Sequence, residues 1–381
     1  MRYNNYLLLF SILFIYFQNS TGQNSGKYQY NGKLTIYDSI IVQASNIAIY
    51  DYYEKKGLFL GTNYHSKDIV IFDKKGHIKY SFNSLGDGPK EYRQTNIIIS
   101  KFFTYNSVVV LSKNAFVNYS FDGNFIKVIK LDDENSALFR KNVNIFINNS
   151  GDSCTIYSAD QYTSHRSINV DFYNDTSYKF FYFINFNKNV KRRIITYEKN
   201  SIYRNNEFYY PEVRPKAYVN STKGILYVLF PHDTKLFEYD INNNFQLFSV
   251  LDLKPDFFGH LNGINYGKKP EMPMPFILSN SLYSNLSTLG DTIITTYNQK
   301  MKEDEIFTSL EEANENMELI RKYIQIFIKN KKMCEDIRIP QNVSGIAYTL
   351  SKNEIFFKKV PNQYDEMNNT ATFYIGKIEL R

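Results

Sequence analysis

The segment Val70–Ile78, VIFDKKGHI, contains an apolar strand, then an Asp and a Gly in a polar turn, then the start of a second apolar strand. Asp, Asn and Gly tolerate the positive φ angles of tight hairpins, so this segment predicts two antiparallel strands joined by a short turn. A second copy occurs at Tyr119–Ile126, YSFDGNFI. Two copies separated by about 50 residues indicate a repeated supersecondary unit.

Looser versions of this unit continue along the chain, at Phe186–Val190, Phe237–Asn242, Thr296–Lys300 and around Asp365. The six turns are then centred on residues 73, 122, 187, 240, 298 and 365. A four-stranded blade needs roughly 40 to 50 residues, and longer blades carry extended loops. The spacing therefore predicts an all-β fold, a six-bladed β-propeller, with seven blades or a large β-sandwich as alternatives.

Composition supports a folded, β-rich chain. The 381 residues include 33 Tyr and 31 Phe, and 43% of the residues are hydrophobic, which excludes disorder along most of the length. Tyr, Phe, Ile, Val and Thr favour half-buried strands. The formal charge of +7 comes from basic residues scattered among acidic ones, a pattern typical of a solvated surface. We therefore expect no nucleic-acid partner.

The N-terminus has the pattern of a secretory signal peptide. Arg2 is a positive residue ahead of the apolar stretch Leu7–Phe17, and Ser20–Gly22 offers small residues for cleavage. The apolar stretch is too short to span a bilayer, which needs about 20 helical residues. We therefore expect residues 1–22 to be removed and residues 23–381 to form one exported domain with no stable membrane anchor. Periplasm, cell surface and medium all stay open as its destination.

One late segment departs from the strand pattern. Apolar residues recur at steps of three and four, at Leu310, Ala313, Met317, Ile320, Ile324 and Phe327. Ser309 and Glu312 have the spacing of a capping box at the start of a helix. The pattern predicts an inserted amphipathic helix over residues 309–331 that packs its apolar stripe on the propeller.

The segment from about Ile69 to Leu131 resembles a family of bacterial exported six-bladed propellers of the TolB-like and NHL-like kind, mostly of unknown function. The resemblance rests on the strand end Ile71–Gly76 and on Gly86–Tyr92, GDGPKEY, which fills the pattern Gly-x-Gly-Pro-x-Glu-aromatic. It implies a propeller fold and export. It supplies no catalytic residues to carry over.

The same motif provides the first candidate ligand-binding residues. Gly86 and Gly88 permit close or left-handed backbone, and Pro89 fixes the following turn. Glu91, Tyr92 and Arg93 would then lie where the chain crosses between blades, a region that can face the central channel. The alternative is a linker between blades whose Glu caps backbone amides.

Three further residues are candidates for ligand binding because of their side-chain chemistry alone: Arg214, His232 and Asp233. An adjacent carboxylate would raise the pKa of His232 and orient its ring. Solvated or salt-bridged surface positions are the alternative for each. Cys154 and Cys334 are the only cysteines, and whether they pair stays open at this stage.

No sequence motif for a metal, a nucleophile or a nucleotide is present, and the five histidines are scattered. No cofactor is therefore identified. The sequence favours a binding module that presents Tyr-rich loops at the channel mouth to a protein, peptide or glycan. The alternative is a lactonase-like hydrolase or lyase with a divalent metal or an acid/base site in the channel.

Overall fold

The computed structural model describes residues 28–44, 46–92, 99–112, 115–130, 143–158, 173–174, 176–188, 190–204, 208–210, 214–259, 264–265, 277–316, 319–360 and 368–381. The predicted signal peptide and Arg93 lie outside these residues.

The chain forms 27 strands over the described residues. In chain order these are β1 Gly32–Val42, β2 Ile47–Tyr53, β3 Leu58–Asn63, β4 Ile69–Asp73, β5 Ile78–Phe82, β6 Ile99–Thr104, β7 Ser107–Leu111, β8 Ala115–Ser120, β9 Phe125–Lys130, β10 Val143–Ile147, β11 Ser153–Ser158, β12 Phe181–Asn185, β13 Val190–Ile194, β14 Phe208–Tyr209, β15 Lys216–Asn220, β16 Ile225–Leu229, β17 Lys235–Asp240, β18 Gln246–Asp252, β19 Ile264–Asn265, β20 Leu282–Leu289, β21 Thr292–Asn298, β22 Lys322–Ile328, β23 Lys331–Lys332, β24 Ile337–Arg338, β25 Val343–Thr349, β26 Glu354–Lys359 and β27 Ala371–Leu380. Helix α1 spans Leu310–Glu315, and short 3-10 turns span Glu54–Lys56 and Glu303–Glu305.

Most of these strands form six antiparallel sheets, and each sheet is one blade of the propeller. Blades 1 to 4 are β2-β3-β4-β5, β6-β7-β8-β9, β10-β11-β12-β13 and β15-β16-β17-β18. Blade 5 is β20-β21-β22-β23, with β24 also paired to β22, and blade 6 is β25-β26-β27-β1. The small strands β14 and β19 pair outside the blades. The predicted six-bladed, all-β architecture is confirmed.

The first and last of the described strands meet in blade 6. Strand β1 pairs antiparallel with β27, from Gly32 opposite Leu380 to Val42 opposite Ala371. The ring is therefore closed by backbone hydrogen bonds between the first and last strands. Aromatic rings fill the adjoining space between blades 6 and 1, where Phe59 and Phe356 stack at 4.6 Å between centroids. Such packing buries large apolar area that a single blade could not cover alone.

The first strand of each blade lines the central channel. Contacts between first strands join β2 to β6 and β25, β10 to β6 and β15, and β15 to β20. A cavity on the axis is lined by residues from all six of these strands. The second, third and fourth strands of each blade follow outward from the channel.

Four of the predicted turns occupy equivalent positions. The turns at residues 73, 122, 187 and 240 each join the third and fourth strands of blades 1 to 4. In blade 1, the Asp73 Oδ1 atom accepts hydrogen bonds from the backbone N–H groups of Lys75 and His77. In blade 4, the Asp240 carboxylate accepts in the same way from Asn242 and Asn243. In each turn the Asp carboxylate accepts hydrogen bonds from backbone N–H groups in place of a backbone carbonyl oxygen.

The last two predicted turns differ. Asn298 ends the second strand of blade 5, and the corresponding turn of that blade lies at Lys329 and Asn330, whose φ angles are 50° and 61°. Asp365 lies outside the described residues.

The predicted helix over residues 309–331 is wrong beyond its first two turns. Ser309 does cap it, since its hydroxyl accepts from the Glu312 N–H, but the helix ends at Glu315. Residues 322–328 instead form β22, with its five central residues buried, and pair with β21. The sequence of a strand that is buried on both faces is a nearly continuous apolar run. The periodicity of apolar residues alone therefore does not distinguish such a strand from a helix.

Cys154 and Cys334 are both buried and unpaired. They lie in blades 3 and 5, on β11 and after β23. Burial raises the pKa of each thiol to about 11. The helices within the described residues are too short or too polar to cross a membrane.

Candidate functional site

The two ends of the propeller carry very different connections. Because neighbouring strands of a blade run in opposite directions, the links from first to second and from third to fourth strand lie at one end. These are tight turns such as 54–57, 74–77, 105–106 and 350–353, and we call this end the short-turn face. At the other end, which we call the long-loop face, lie the strand ends that are joined through the longer stretches 83–98, 195–215, 253–281 and 299–321, each of which is described only in part. Binding sites concentrate on long loops held by a rigid scaffold.

A cavity of about 390 Å³ opens where the first strands begin, at the long-loop face. We call it the channel mouth, and its lining residues are Ile47, Ala48, Ile49, Tyr50, Tyr64, Lys216, Ser284, Asn285, Leu286, Ser344, Gly345, Ile346, Ala347, Lys358 and Phe373. A smaller cavity of about 180 Å³ lies further along the axis and shares Tyr50, Asn285 and Ala347 with it. The mouth falls within the size range of small-molecule sites, roughly 300 to 1,000 Å³.

Tyrosines and small polar groups line part of the mouth. The Tyr50 hydroxyl donates to the Tyr64 hydroxyl at 3.3 Å. Burial, followed by the neighbouring Tyr64, raises the pKa of Tyr50 well above its ordinary value, so Tyr50 is a neutral hydroxyl near pH 7. Ser284, Asn285 and Ser344 add further hydroxyl and amide groups.

Lysines from different blades reach the same cavity. Lys216 begins β15 of blade 4, and Lys358 lies near the end of β26 in blade 6. Lys358 pairs in register with Gly345 on the neighbouring first strand, and a Cβ atom built on Gly345 would meet nothing within 4 Å. The glycine therefore leaves open space at the channel wall beside Lys358.

A third lysine lies behind the wall. The Lys322 Nζ atom donates to the Ser344 carbonyl oxygen at 2.6 Å. The Ser344 hydroxyl in turn donates to the Lys358 carbonyl oxygen at 3.0 Å. Burial lowers the pKa of both Lys322 and Lys358 below the ordinary value of 10.5. None of the described residues that line the mouth is Asp or Glu.

Asp51 follows Tyr50 on β2 and is already engaged by its neighbours. Its Oδ2 atom accepts from the Phe102 N–H at 3.0 Å, and its Oδ1 atom accepts from the Tyr348 hydroxyl at 3.3 Å. The Lys101 ammonium donates to the Tyr50 carbonyl oxygen and lies 3.9 Å from Asp51 Oδ1. These contacts connect blades 1, 2 and 6 around the axis.

The glycine motif forms the link between blades 1 and 2. Glu91 Oε2 accepts from the Gly88 N–H at 2.8 Å, and a Cβ atom on Gly86 would lie 2.0 Å from that oxygen. Tyr92 is fully buried, and its hydroxyl donates to the Lys67 carbonyl oxygen at 2.9 Å. Leu85 and Tyr92 form an isolated parallel bridge. This geometry matches the alternative given by the sequence, a linker between blades in which Glu91 accepts from a backbone amide. Pro89 lies in the turn of this linker. Ligand binding by these residues stays a prediction.

His232 and Asp233 lie in the link between the second and third strands of blade 4 and are 2% and 1% exposed. The His232 Nδ1 atom lies 3.1 Å from the Ser281 carbonyl oxygen, which can only accept, so Nδ1 carries a proton. Asp233 accepts from the Ser201 hydroxyl and the Lys235 N–H, and burial raises its pKa. Arg214 is exposed on the loop that leads into β15. None of these three residues is among those that line the mouth.

The described residues contain no group of three or more His, Cys, Asp or Glu placed to hold a metal ion. A divalent metal in the channel, as the hydrolase or lyase alternative would use, stays a prediction. Sequence reasoning also missed Lys216, Lys358 and Tyr64. No motif distinguishes them, and only the register of the strands brings them to the mouth.

The fold and the cavity define a six-bladed propeller with a small-molecule-sized opening at one end of its channel. Residues 34–213 match a family model described as a 6-bladed beta-propeller, DUF5128. A member of the DUF4221 family from Bacteroides vulgatus superposes with a TM-score of 0.64 at 11% identity, over 93% of this chain and 100% of that one. A protein from Bacteroides fragilis described as a candidate exported protein superposes with a TM-score of 0.52 at 12% identity, over 92% and 95%. Among curated proteins, no match was found.

Proposed function

We propose that the protein is an exported binding module that takes a ligand, such as a glycan or peptide or the end of a partner protein, into the channel mouth. The observation that supports this most directly is the cavity of about 390 Å³ on the long-loop face. Its mixture of tyrosine, hydroxyl, amide and lysine groups with apolar walls is typical of ligand pockets. The hydrolase or lyase alternative has no specific observation in its favour.

Export is part of the proposal. It is supported by the signal-peptide pattern of residues 1–22 and by the B. fragilis neighbour, which is described as a candidate exported protein. A protein of this kind would meet its ligand outside the cytoplasm.

The test blocks the mouth with one large side chain. Ala48 is half-buried and lines the mouth, so Ala48→Trp would fill part of it. Lys352→Trp is the matched control, because Lys352 is exposed on the short-turn face. Thermal unfolding of the purified protein is measured against a panel of saccharides and short peptides.

Ligands that stabilise the wild-type protein should lose their effect in Ala48→Trp and keep it in Lys352→Trp. A ligand present at 100 times its Kd stabilises by about 2.7 kcal/mol, which is easily measured. Equal stabilisation of wild type and a well-folded Ala48→Trp protein would place the binding site elsewhere and contradict the proposal.

A further inference from the structure

The charged groups at the channel mouth are all of one sign in the described part of the chain. Lys216 and Lys358 line the cavity from blades 4 and 6, and Lys322 lies behind Ser344 in the wall. The described lining contains no Asp or Glu, and Asp51 is occupied by Phe102, Tyr348 and Lys101. A cavity with cations of this kind attracts negative charge, because its walls reduce screening by water.

Lys322 and Lys358 are partly buried, and retaining a partly buried ammonium group without a close carboxylate is costly. Burial lowers the pKa of Lys322 and of Lys358 below the ordinary value, because it disfavours the charged ammonium form. Proteins commonly tolerate such destabilising groups at sites where they serve binding. A bound anion would accept hydrogen bonds from these ammonium groups and so replace the hydration that they lose on burial.

The neutral groups of the mouth suit the rest of such a ligand. Ser284, Asn285 and Ser344 offer hydroxyl and amide groups, and Tyr50 and Tyr64 offer aromatic faces with hydroxyl ends. Ile47, Ile346 and Phe373 supply apolar walls. This combination fits a small hydroxylated body with a charged substituent better than a wholly apolar ligand.

We infer that the channel mouth binds a small ligand with a carboxylate, sulfate or phosphate group on a polar body, and that Lys216 and Lys358 hold that charged group. The inference rests on the proposed function and names the ligand class of the same site. Lys358 pairs with Gly345 in blade 6 and Lys216 lies in blade 4, so the two ammonium groups would hold the anion from different blades.

The first experiment uses selenate as the probe, since it has the shape of sulfate and scatters anomalously. Crystals of the wild-type protein and of Lys358→Met are soaked in selenate at low ionic strength. An anomalous peak within hydrogen-bonding distance of Lys358 Nζ and Lys216 Nζ, absent from Lys358→Met, is the expected result. No peak at the wild-type mouth would overturn the inference.

The second experiment compares each acidic sugar with its neutral parent by calorimetry: glucuronate and glucose 6-phosphate with glucose, and N-acetylglucosamine 6-sulfate with N-acetylglucosamine. At least one acidic member should bind at least about tenfold more tightly than its parent, and Lys216→Met or Lys358→Met should remove that difference. Lys358→Arg should keep it, as should Lys352→Met on the short-turn face. Equal binding of parent and acid, or no binding by any acid, would contradict the inference.

A stability measurement separates loss of binding from loss of folding. The lowered pKa of Lys358 means that the unfolded chain holds its proton more tightly than the folded one, so this lysine destabilises the unliganded protein at neutral pH. Lys358→Met should therefore unfold at a higher temperature than wild type at pH 7, and this gain should shrink as the pH rises towards 10.5. Neutral ligands that bind at the mouth as tightly as their acidic counterparts would refute the anion inference and leave the proposed function intact, whereas failure of Ala48→Trp to affect any ligand would refute both.

Discussion

Gly76 lies in the turn between the third and fourth strands of blade 1, where this turn passes close to β1. Its φ angle is +83°, a region that side-chain-bearing residues rarely adopt. A Cβ atom at this position would lie 2.1 Å from the Ile41 carbonyl oxygen, which belongs to the backbone and cannot swing away. Both the conformation and the close approach therefore require glycine.

Gly151 provides the matched comparison. Its φ angle is +79°, but a Cβ atom there would meet nothing within 4 Å. Gly151→Ala should lower the free energy of unfolding by about 1 to 2 kcal/mol through left-handed strain alone. Gly76→Ala should cost clearly more, as measured by urea denaturation. Equal losses for the two variants would show that the contact with Ile41 has no energetic weight.

Single residues also show where sequence reasoning succeeds and where it stops. The Asp73 turn could be predicted because its hydrogen bonds are local, within four residues. Lys358 and Lys359 are chemically identical neighbours, and strand alternation places them on opposite faces. Only the pairing of Lys358 with Gly345, a contact between two strands, shows which of them lies beside the open channel wall.

At the scale of elements, blade 5 contains a buried ionic cluster. Lys332 Nζ lies 2.8 Å from Asp256 Oδ2 and 2.6 Å from Asp336 Oδ1, and these side chains are at most 10% exposed. The Asp336 Oδ2 atom also accepts from the Tyr297 hydroxyl at 2.5 Å, and the Tyr28 hydroxyl donates to Asp256. The cluster thus connects the loop after blade 4, the fourth strand of blade 5 and the segment before β1.

Removing the cation of this cluster should strongly destabilise the propeller. Burial alone would lower the pKa of Lys332, but its hydrogen bonds with Asp256 and Asp336 raise it, so the ammonium is charged. Lys332→Met leaves two neighbouring buried carboxylates without their partner, and we expect a loss of about 3 to 5 kcal/mol in the free energy of unfolding.

Lys223→Met is the control, because the Lys223–Asp291 pair at 2.6 Å is open to solvent. Its free energy of unfolding should change little. Similar losses for Lys332→Met and Lys223→Met in urea denaturation would show that the buried cluster stabilises the fold no more than a surface ion pair does.

Blade 5 is also where the secondary structure predicted from the sequence differs from the structure. The stripe from Leu310 to Phe327 has helical spacing, yet the helix ends at Glu315 and Tyr323, Ile324 and Phe327 pair with β21. Tyr, Ile and Phe fit a pleated surface, and the partner strand lies about 30 residues earlier in the chain. Pairing between strands so far apart in the sequence depends on tertiary structure, so the local periodicity of the stripe does not predict it.

At the scale of the whole molecule, the ring holds together because β1 completes the last blade. Ile40 in this strand is 3% exposed and packs in a cluster shared by blades 1 and 6, whereas its neighbour Ile41 is 53% exposed. Closure therefore makes the N-terminal strand part of the core.

The two neighbours give a direct test of closure. Ile40→Ala should lower the free energy of unfolding of the whole protein by about 2 to 5 kcal/mol, and Ile41→Ala should leave it nearly unchanged. Far-ultraviolet circular dichroism and tyrosine fluorescence should report the same single transition for both variants. An early separate transition in Ile40→Ala would mean that β1 detaches while the other blades stay folded.

The number of blades could be predicted because strand-turn-strand signals recur along the chain, four of them at equivalent positions in blades 1 to 4, and because their spacing fits six blades. The position of the site could not, since it depends on residues from the first strands of separate blades that meet only when the ring closes. Lys216 and Lys358 are 142 positions apart by their numbering and line one cavity.

The central claim is that the ligand binds at the channel mouth on the long-loop face. The most direct test is a crystal structure of the protein with the tightest-binding acidic sugar of the calorimetric series. We predict electron density for the sugar within the cavity lined by Tyr64, Lys216 and Lys358, with its charged group between the two lysines. Density on the short-turn face or on the outer strands, with the mouth empty, would contradict the claim.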